Sequence, residues 1–197
     1  MLVLASQSPR RRELLTQAGY TFEVRPAHID EDPRAGEDPI DYVVRLAREK
    51  AEAVFQELSA GAMEQVKETL SSLVVLGADT TVVVDGALLA KPADAADAAR
   101  MLRLLSGRTH QVITGVALAT AEGTEAGAEV TAVSFLSLSD EEIEAYVASG
   151  EPMDKAGAYA IQGRAAKWIP RIEGCYFNVV GLPLARVDRM LASLKPR

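Results

Sequence analysis

Cysteine and histidine are nearly missing from this chain: Cys175 stands alone, and His28 and His110 are the only imidazoles among 197 residues. A single cysteine excludes an intrachain disulfide, and one thiol with two imidazoles falls short of the four ligands of a structural zinc site. The expected compartment is therefore the cytoplasm, where thiols stay reduced. Aromatics are few as well, with four Phe, five Tyr and one Trp, which argues against the stacking platforms that hold single-stranded nucleic acid. Positive charge is in deficit. Lys and Arg number 21 against 28 Asp and Glu, a net charge of −7, so polyanionic nucleic acid and anionic membrane surfaces would be repelled. Any basic cluster must be local and aimed at a small anion. No uninterrupted apolar run is long enough to span a bilayer, because the most apolar stretch, residues 73–90, contains Asp79 and Asp85, and a carboxylate is costly at the bilayer centre. Leu2-Val3-Leu4 runs directly into Ala5-Ser6-Gln7 without a basic n-region or an apolar h-region, so no signal peptide is expected. Also absent are G-x-x-x-x-G-K-[ST], a G-x-G-x-x-G after a strand, and G-x-S-x-G, which removes P-loop enzymes, dinucleotide binding and a serine-hydrolase triad.

What is present is a mostly aliphatic 48% hydrophobic content, enough for a single domain over residues 1–197 or two small lobes sharing a core. Leu2-Val3-Leu4 reads as a buried strand. Ser8 as cap, Pro9 in the first turn and Gly19 as stop frame a helix with Leu14, Leu15 and Ala18 inward. Residues 21–25 alternate like a strand, and an acidic, proline-bounded loop over 26–39 follows. A helix capped by Asp38 runs to about Leu58, and residues 59–72 read as a surface excursion. Residues 73–76 and 81–84 are β-rich runs flanking Gly77-Ala78-Asp79-Thr80, and Asp85-Gly86 is a hairpin signal before 87–89. Asp94 opens an alanine-rich helix that Ser106-Gly107 stops. Residues 109–120 and 129–138 form a two-stranded ribbon, and Ser139 with Glu142 is a capping box. Beyond a glycine-punctuated segment over 153–163, strands are expected near 168–173 and 178–181, and a last helix from Pro183.

The residues that bear chemistry begin with Ser6-Gln7-Ser8-Pro9-Arg10-Arg11-Arg12. Three arginines in the first turn of a helix oppose its dipole, an arrangement that suits a docked phosphate, on which backbone N–H groups, the Ser6 and Ser8 hydroxyls and a guanidinium could converge. The alternative is a solvated arginine face. Asp79 follows the apolar run Val74-Val75-Leu76-Gly77-Ala78 at an expected strand end, where open α/β sheets place ligands. There it could bind a hard cation or accept a proton from water, or simply bond the turn before Thr81. Glu31 by itself reads as a solvated loop acid. Lys50, at the edge of an apolar helix face, and Lys91, before Pro92, either reach to solvent or serve as point charges on a polyphosphate.

Six segments in one order extend over nearly the whole chain: Ala5-Ser6-Gln7-Ser8-Pro9-Arg10-Arg11, Arg45-Leu46-Ala47-Arg48-Glu49-Lys50, Gly77-Ala78-Asp79-Thr80, Lys91-Pro92, Leu105-Ser106-Gly107-Arg108-Thr109-His110, and Asp154 through Gly163. Together they resemble the successive motifs of the Maf nucleotide pyrophosphatases, and the last resembles the subfamily acting on dTTP and UTP. The resemblance implies an α/β fold, an elongated mixed β-sheet flanked by helices, with two lobes around a central cleft, akin to the inosine-triphosphate pyrophosphatases. It implies that Asp79 is the catalytic aspartate, that Arg10, Thr80 and Gln162 bear on substrate choice, and that Glu31, Lys50 and Lys91 are supporting charges. Glu31 competes for its place with its neighbours Asp30 and Asp32.

On that footing Asp79 would activate water or hold Mg²⁺ or Mn²⁺ with Glu31 sharing the ion, and Arg10, Lys50 and Lys91 would neutralise a nucleoside triphosphate. The expected products are the monophosphate and pyrophosphate. The expected partner is the nucleotide, with no nucleic acid and no membrane, and a homodimer stays open. The alternative class is a nucleotide-sensing regulator of septum formation acting through a protein partner. Two carboxylates beside a triphosphate argue against it, because they repel the ligand unless a cation lies between.

Overall fold

The computed structural model describes residues 1–60 and 72–194. In chain order the elements are β1 (Leu2–Leu4), α1 (Pro9–Gln17), β2 (Glu23–Val24), α2 (Pro39–Ala60), β3 (Val74–Val84), β4 (Ala87–Leu89), α3 (Ala95–Leu105), β5 (Thr109–Thr120), β6 (Gly123–Ser134), α4 (Asp140–Ala148), three 3₁₀ segments (Glu151–Asp154, Ala156–Ala158, Arg164–Trp168), β7 (Arg171–Glu173), α5 (Tyr176–Val180) and α6 (Leu184–Ser193). The sheet is mixed and seven-stranded, in the order β2-β1-β3-β5-β6-β7 with β4 paired to β3, as the expected α/β class requires. β1 is parallel to both β2 and β3, whereas the β3–β4 and β6–β7 pairs are antiparallel. The residues group into two compact units, Met1–Asp79 with Thr114–Glu129 and Gly181–Arg197, and Thr80–Ile113 with Val130–Val180.

In the first unit the core gathers Val3, Ala5, Ala47, Ala51, Val54, Leu73, Val75, Ala117 and Ala119. Its small residues let α2 lie unusually close to the sheet. A Cβ on Gly77 would fall 2.0 Å from the Ala47 carbonyl oxygen, and one on Gly115 would fall 2.1 Å from that of Val43. Both distances are far inside van der Waals contact, so bare backbone at these two strand positions sets the seat of the helix. Ser8 caps α1 by accepting from the Arg11 amide, and Asp38 Oδ1 accepts from the Ile40 amide at the start of α2.

The second unit is more aromatic. Phe135 meets His110 and Tyr159 edge to face, and Tyr146 meets Trp168 in the same way, over a layer of Val82, Met101, Leu102, Leu105 and Ile143. The Asp85-Gly86 hairpin forms as expected, both residues at positive φ (49° and 78°), the requirement of a primed two-residue turn. Asp94 caps α3, and Ser139 with Glu142 forms the complete capping box of α4.

Several elements differ from expectation. Gly77-Ala78-Asp79-Thr80 is no turn between two strands; β3 is continuous, because Gly77 admits α2 without leaving the ladder. Asp79 therefore emerges from the middle of a strand. β6 spans Gly123–Ser134 rather than 129–138, and β2 has two residues. Residues 176–180 are helical, although Val-Val favours a strand: the buried Asn178 donates to the Val112 carbonyl and to Thr131 Oγ1, and tertiary bonding overrides propensity. Ala18 is exposed. Of the expected excursion over 59–72, residues 59–60 complete α2 and residues 61–71 lie outside the described part.

Candidate active site

The connection from β1 into α1 is shaped by serine hydroxyls. Ser6 Oγ accepts from the Ser8 amide at 3.2 Å, and Ser8 Oγ accepts from the Arg11 amide at 3.5 Å. The three arginines then part company. Arg12 is exposed, Arg10 is half-buried and Arg11 is buried. The Arg11 guanidinium donates to the Gly181 carbonyl (2.9 Å), the Ala78 carbonyl (2.8 Å) and Ser6 Oγ (3.1 Å). So the choice between phosphate ligand and solvated face does not describe Arg11, which is a fork binding three protein acceptors. Burial lowers its pKa from the ordinary value, and the nearby charge of Asp79 opposes that shift. The signal was present in the sequence: Arg11, Leu14 and Leu15 share one helical face.

On α2, Lys50 follows Ala47 by three positions and stands beside Ala51, on the face pressed against Gly77. Strand alternation puts Asp79 on the same side as Gly77 and sends Thr80 to the other. Lys50 Nζ lies 2.7 Å from Asp79 Oδ1 and 2.8 Å from Glu31 Oε1, and the Lys50 and Asp79 side chains are about nine-tenths buried while Glu31 is half exposed. Glu31 is therefore no solvated loop acid: it and Asp79 share one ammonium.

The acidic loop owes its position to two residues that the sequence reading left without roles. Tyr42 Oη donates to the Glu31 carbonyl at 2.9 Å. Arg45 pairs with both oxygens of Glu37, at 2.6 and 2.8 Å, and donates to the Asp32 carbonyl. Burial, with the charges of Asp79 and Glu31, raises the Tyr42 phenol to about 12, so it remains a donor at neutral pH. The Arg45 hydrogen bond lowers Glu37 to about 2. Only an Arg nearly two turns into the helix after a proline-bounded acidic loop hinted at this clamp.

Thr80, Lys91 and Gln162 belong to the second unit. Thr80 is half-buried within β3, Lys91 is exposed just beyond β4, and Gln162 is exposed in the turn between Ala156–Ala158 and Arg164–Trp168. The structure thus brings Glu31, Lys50 and Asp79 into one cluster. Through Arg11 it ties Ser6 to the residue preceding Asp79, while Ser8 and Arg10 sit at the start of α1. No group of three or more His, Cys, Asp or Glu suited to a metal occurs among the described residues. The Glu31–Asp79 pair offers two hard oxygens already converged on a cation, a donor set that fits Mg²⁺ or Mn²⁺ completed by substrate phosphates. No helix among the described residues is long and apolar enough to cross a membrane.

The chain is similar to known proteins over nearly its whole length. The family described as Maf-like protein matches residues 1–194. The dTTP/UTP pyrophosphatase of Koribacter versatilis (strain Ellin345) is 53% identical over 190 residues, covering 96% of this chain and 92% of the relative. Those of Photobacterium profundum, 52% identical over 96% of this chain and 94% of the relative, and Salmonella typhimurium, 53% identical over 97% and 91%, are similar to it to the same degree.

Proposed function

The chain belongs to the Maf family, and from that premise we propose that it is a nucleoside triphosphate pyrophosphatase that cleaves dTTP and UTP between the α- and β-phosphates, with residues 1–197 acting as one functional domain. The observation that carries this reading is the Glu31–Lys50–Asp79 cluster, in which two carboxylates are held on one ammonium. A protein that only bound triphosphate would gain nothing from that pair, so the reading as a nucleotide-sensing regulator is not favoured.

Asp79 accepts the proton of the attacking water. Lys50 orients its carboxylate from the side and, once triphosphate is bound, adds positive charge near the phosphates. The α1 amides, Ser6, Ser8 and Arg10 bind phosphate oxygens, and Lys91 neutralises the pyrophosphate leaving group. Asp79 and Glu31 would hold a divalent cation, Mg²⁺ or Mn²⁺, which would supply further neutralisation of phosphate charge. Thr80 and Gln162 govern the choice of substrate. The Gln162 amide has both an acceptor and donors; it can accept from N3–H of uracil or thymine while donating to an adjacent carbonyl. We also assign the enzyme to the cytoplasm, a reading supported by its single Cys175, and leave a homodimer as an assembly to be tested by sedimentation.

The deciding experiment incubates the protein with a panel of triphosphates and Mg²⁺ or Mn²⁺ and identifies the released phosphate species. Pyrophosphate from UTP and dTTP, abolished by EDTA and restored by added cation, is the expected result. Release of orthophosphate instead, or full activity in chelator, would refute the respective part of the reading.

A further inference from the structure

Gln162 is exposed and occupies a short turn, so its side chain can discriminate bases only if the backbone around it is held. That backbone is held by a hydrogen-bonded chain which the reaction scheme does not use. The Ala160 amide, two residues before Gln162, donates to Tyr146 Oη at 3.3 Å. Tyr146 Oη donates in turn to Glu151 Oε1 at 2.9 Å. The Arg164 amide, two residues after Gln162, donates to the same Oε1 at 3.0 Å. The two flanks of the turn are thus tied symmetrically to one carboxylate and its phenol. The turn also closes on itself through the Gly163 amide and the Ala160 carbonyl at 3.1 Å.

Gly163 completes the seat. A Cβ there would lie 1.9 Å from Glu151 Oε1 and 2.6 Å from its Cδ, so the carboxylate rests directly on bare backbone. Glu151 is itself anchored at the start of the Glu151–Asp154 segment, where Lys155 Nζ donates to its carbonyl oxygen at 2.6 Å. Tyr146 is buried, 3% exposed, and packs edge to face on Trp168. Burial and the bond to Glu151 raise its phenol well above the ordinary value, which keeps it protonated and donating.

We propose that Glu151, acting with Tyr146, is a specificity-positioning residue: it holds the 160–164 turn in the shape that presents Gln162 to the nucleobase. This rests on the reading of Gln162 given above. Glu151 touches no reacting atom; its effect passes through the turn, and therefore falls on discrimination between bases and not on the cleavage step.

Steady-state kinetics with UTP and GTP on Glu151→Ala, Glu151→Gln, Tyr146→Phe and Gln162→Ala test the proposal. Losing one hydrogen bond is worth about a factor of ten, so Glu151→Ala is expected to raise KM for UTP about tenfold, more than it changes kcat, and to move the UTP-to-GTP ratio of kcat/KM toward that of Gln162→Ala. Glu151→Gln, whose amide oxygen can still accept from Tyr146 and Arg164, is expected to restore the ratio. If Glu151→Ala fails to fold by circular dichroism, Tyr146→Phe carries the same expectation, because it deletes only the hydroxyl of the relay. A proportional loss on both substrates in the variant that folds would overturn the proposal and leave Glu151 with a structural role only. A ratio shifted by Gln162→Ala but untouched by Glu151→Ala and Tyr146→Phe overturns the positioning alone. A ratio unmoved by Gln162→Ala overturns the base-reading role and the proposal together.

Discussion

Arg11 donates a 2.8 Å hydrogen bond to the carbonyl oxygen of Ala78, which ties the first turn of α1 to β3 one residue before Asp79. The same guanidinium holds Ser6 Oγ and the Gly181 carbonyl. A residue at a helix start that carries unfavourable charge is thereby turned to bracing the backbone on which the Asp79 carboxylate stands.

Removing that brace leaves buried acceptors without their donor. Arg11→Ala is expected to lower unfolding stability by about 3 kcal/mol, measured by urea denaturation, whereas Arg12→Ala at an exposed position stays within about 0.5 kcal/mol. Arg11→Lys should recover little, since one ammonium does not reproduce a planar fork with several donors. Equal effects at positions 11 and 12 would contradict the bracing role.

Asp79→Asn keeps the shape and volume of the side chain but loses the proposed base, one of the two carboxylates facing Lys50. Turnover of UTP is expected to fall at least about 10²-fold with the fold intact, read from initial rates beside a thermal melt. A variant with most of its activity retained would take Asp79 out of the mechanism.

At Gly77 the contact is backbone against backbone, so no rotamer change can relieve it. Gly77→Ala is expected to cost about 3 kcal/mol or more and to reduce activity, because displacing α2 moves Lys50 away from Asp79. Gly86→Ala, at a positive-φ turn with open space around it, should cost about 1 kcal/mol. Chemical denaturation of the two variants compares them directly.

His110 is 2% exposed, its Nε2 lies 2.8 Å from Tyr159 Oη, and Nδ1 is buried with no hydrogen-bond partner among the described residues. Burial lowers its pKa from 6.5 to about 4. Between those values the unfolded chain binds a proton that the folded one refuses, so the stabilisation is complete above pH 6.5 and drains away as the pH falls to about 4. The full effect is about 3 kcal/mol at most. Urea midpoints measured from about pH 7 down to about pH 4 should fall less steeply in His110→Gln than in the parent; parallel slopes would remove His110 as the cause.

Gln162→Glu exchanges a group that both donates and accepts for one that only accepts. On the proposed contact, uracil and thymine then lose a partner while the adjacent N1–H and amino donors of a guanine gain one, each hydrogen bond being worth about 1 kcal/mol. The ratio of kcat/KM for UTP over 7-methyl-GTP is expected to fall by about tenfold or more. An unchanged ratio would place the role of Gln162 elsewhere.

Much of this was legible in the linear chain, because it depends on residues within a few positions of each other. Ser8, Asp94 and the Ser139–Glu142 capping box start helices through their own amides, and Asp85-Gly86 turns a hairpin through its own dihedral angles. The order of the motifs was enough to name the family. What the chain could not show were relationships set by distant partners. Arg11 finds acceptors 67 and 170 positions away, and Asn178 forces a helical turn through bonds to Val112 and Thr131. β3 runs unbroken through Gly77 only because α2 packs onto that glycine. Glu31, which only the resemblance set apart from Asp30 and Asp32, is paired with Lys50, and Tyr42 holds its carbonyl. A side chain's periodicity reports which face it lies on; what it meets there is decided by the packing of elements that sequence distance does not connect.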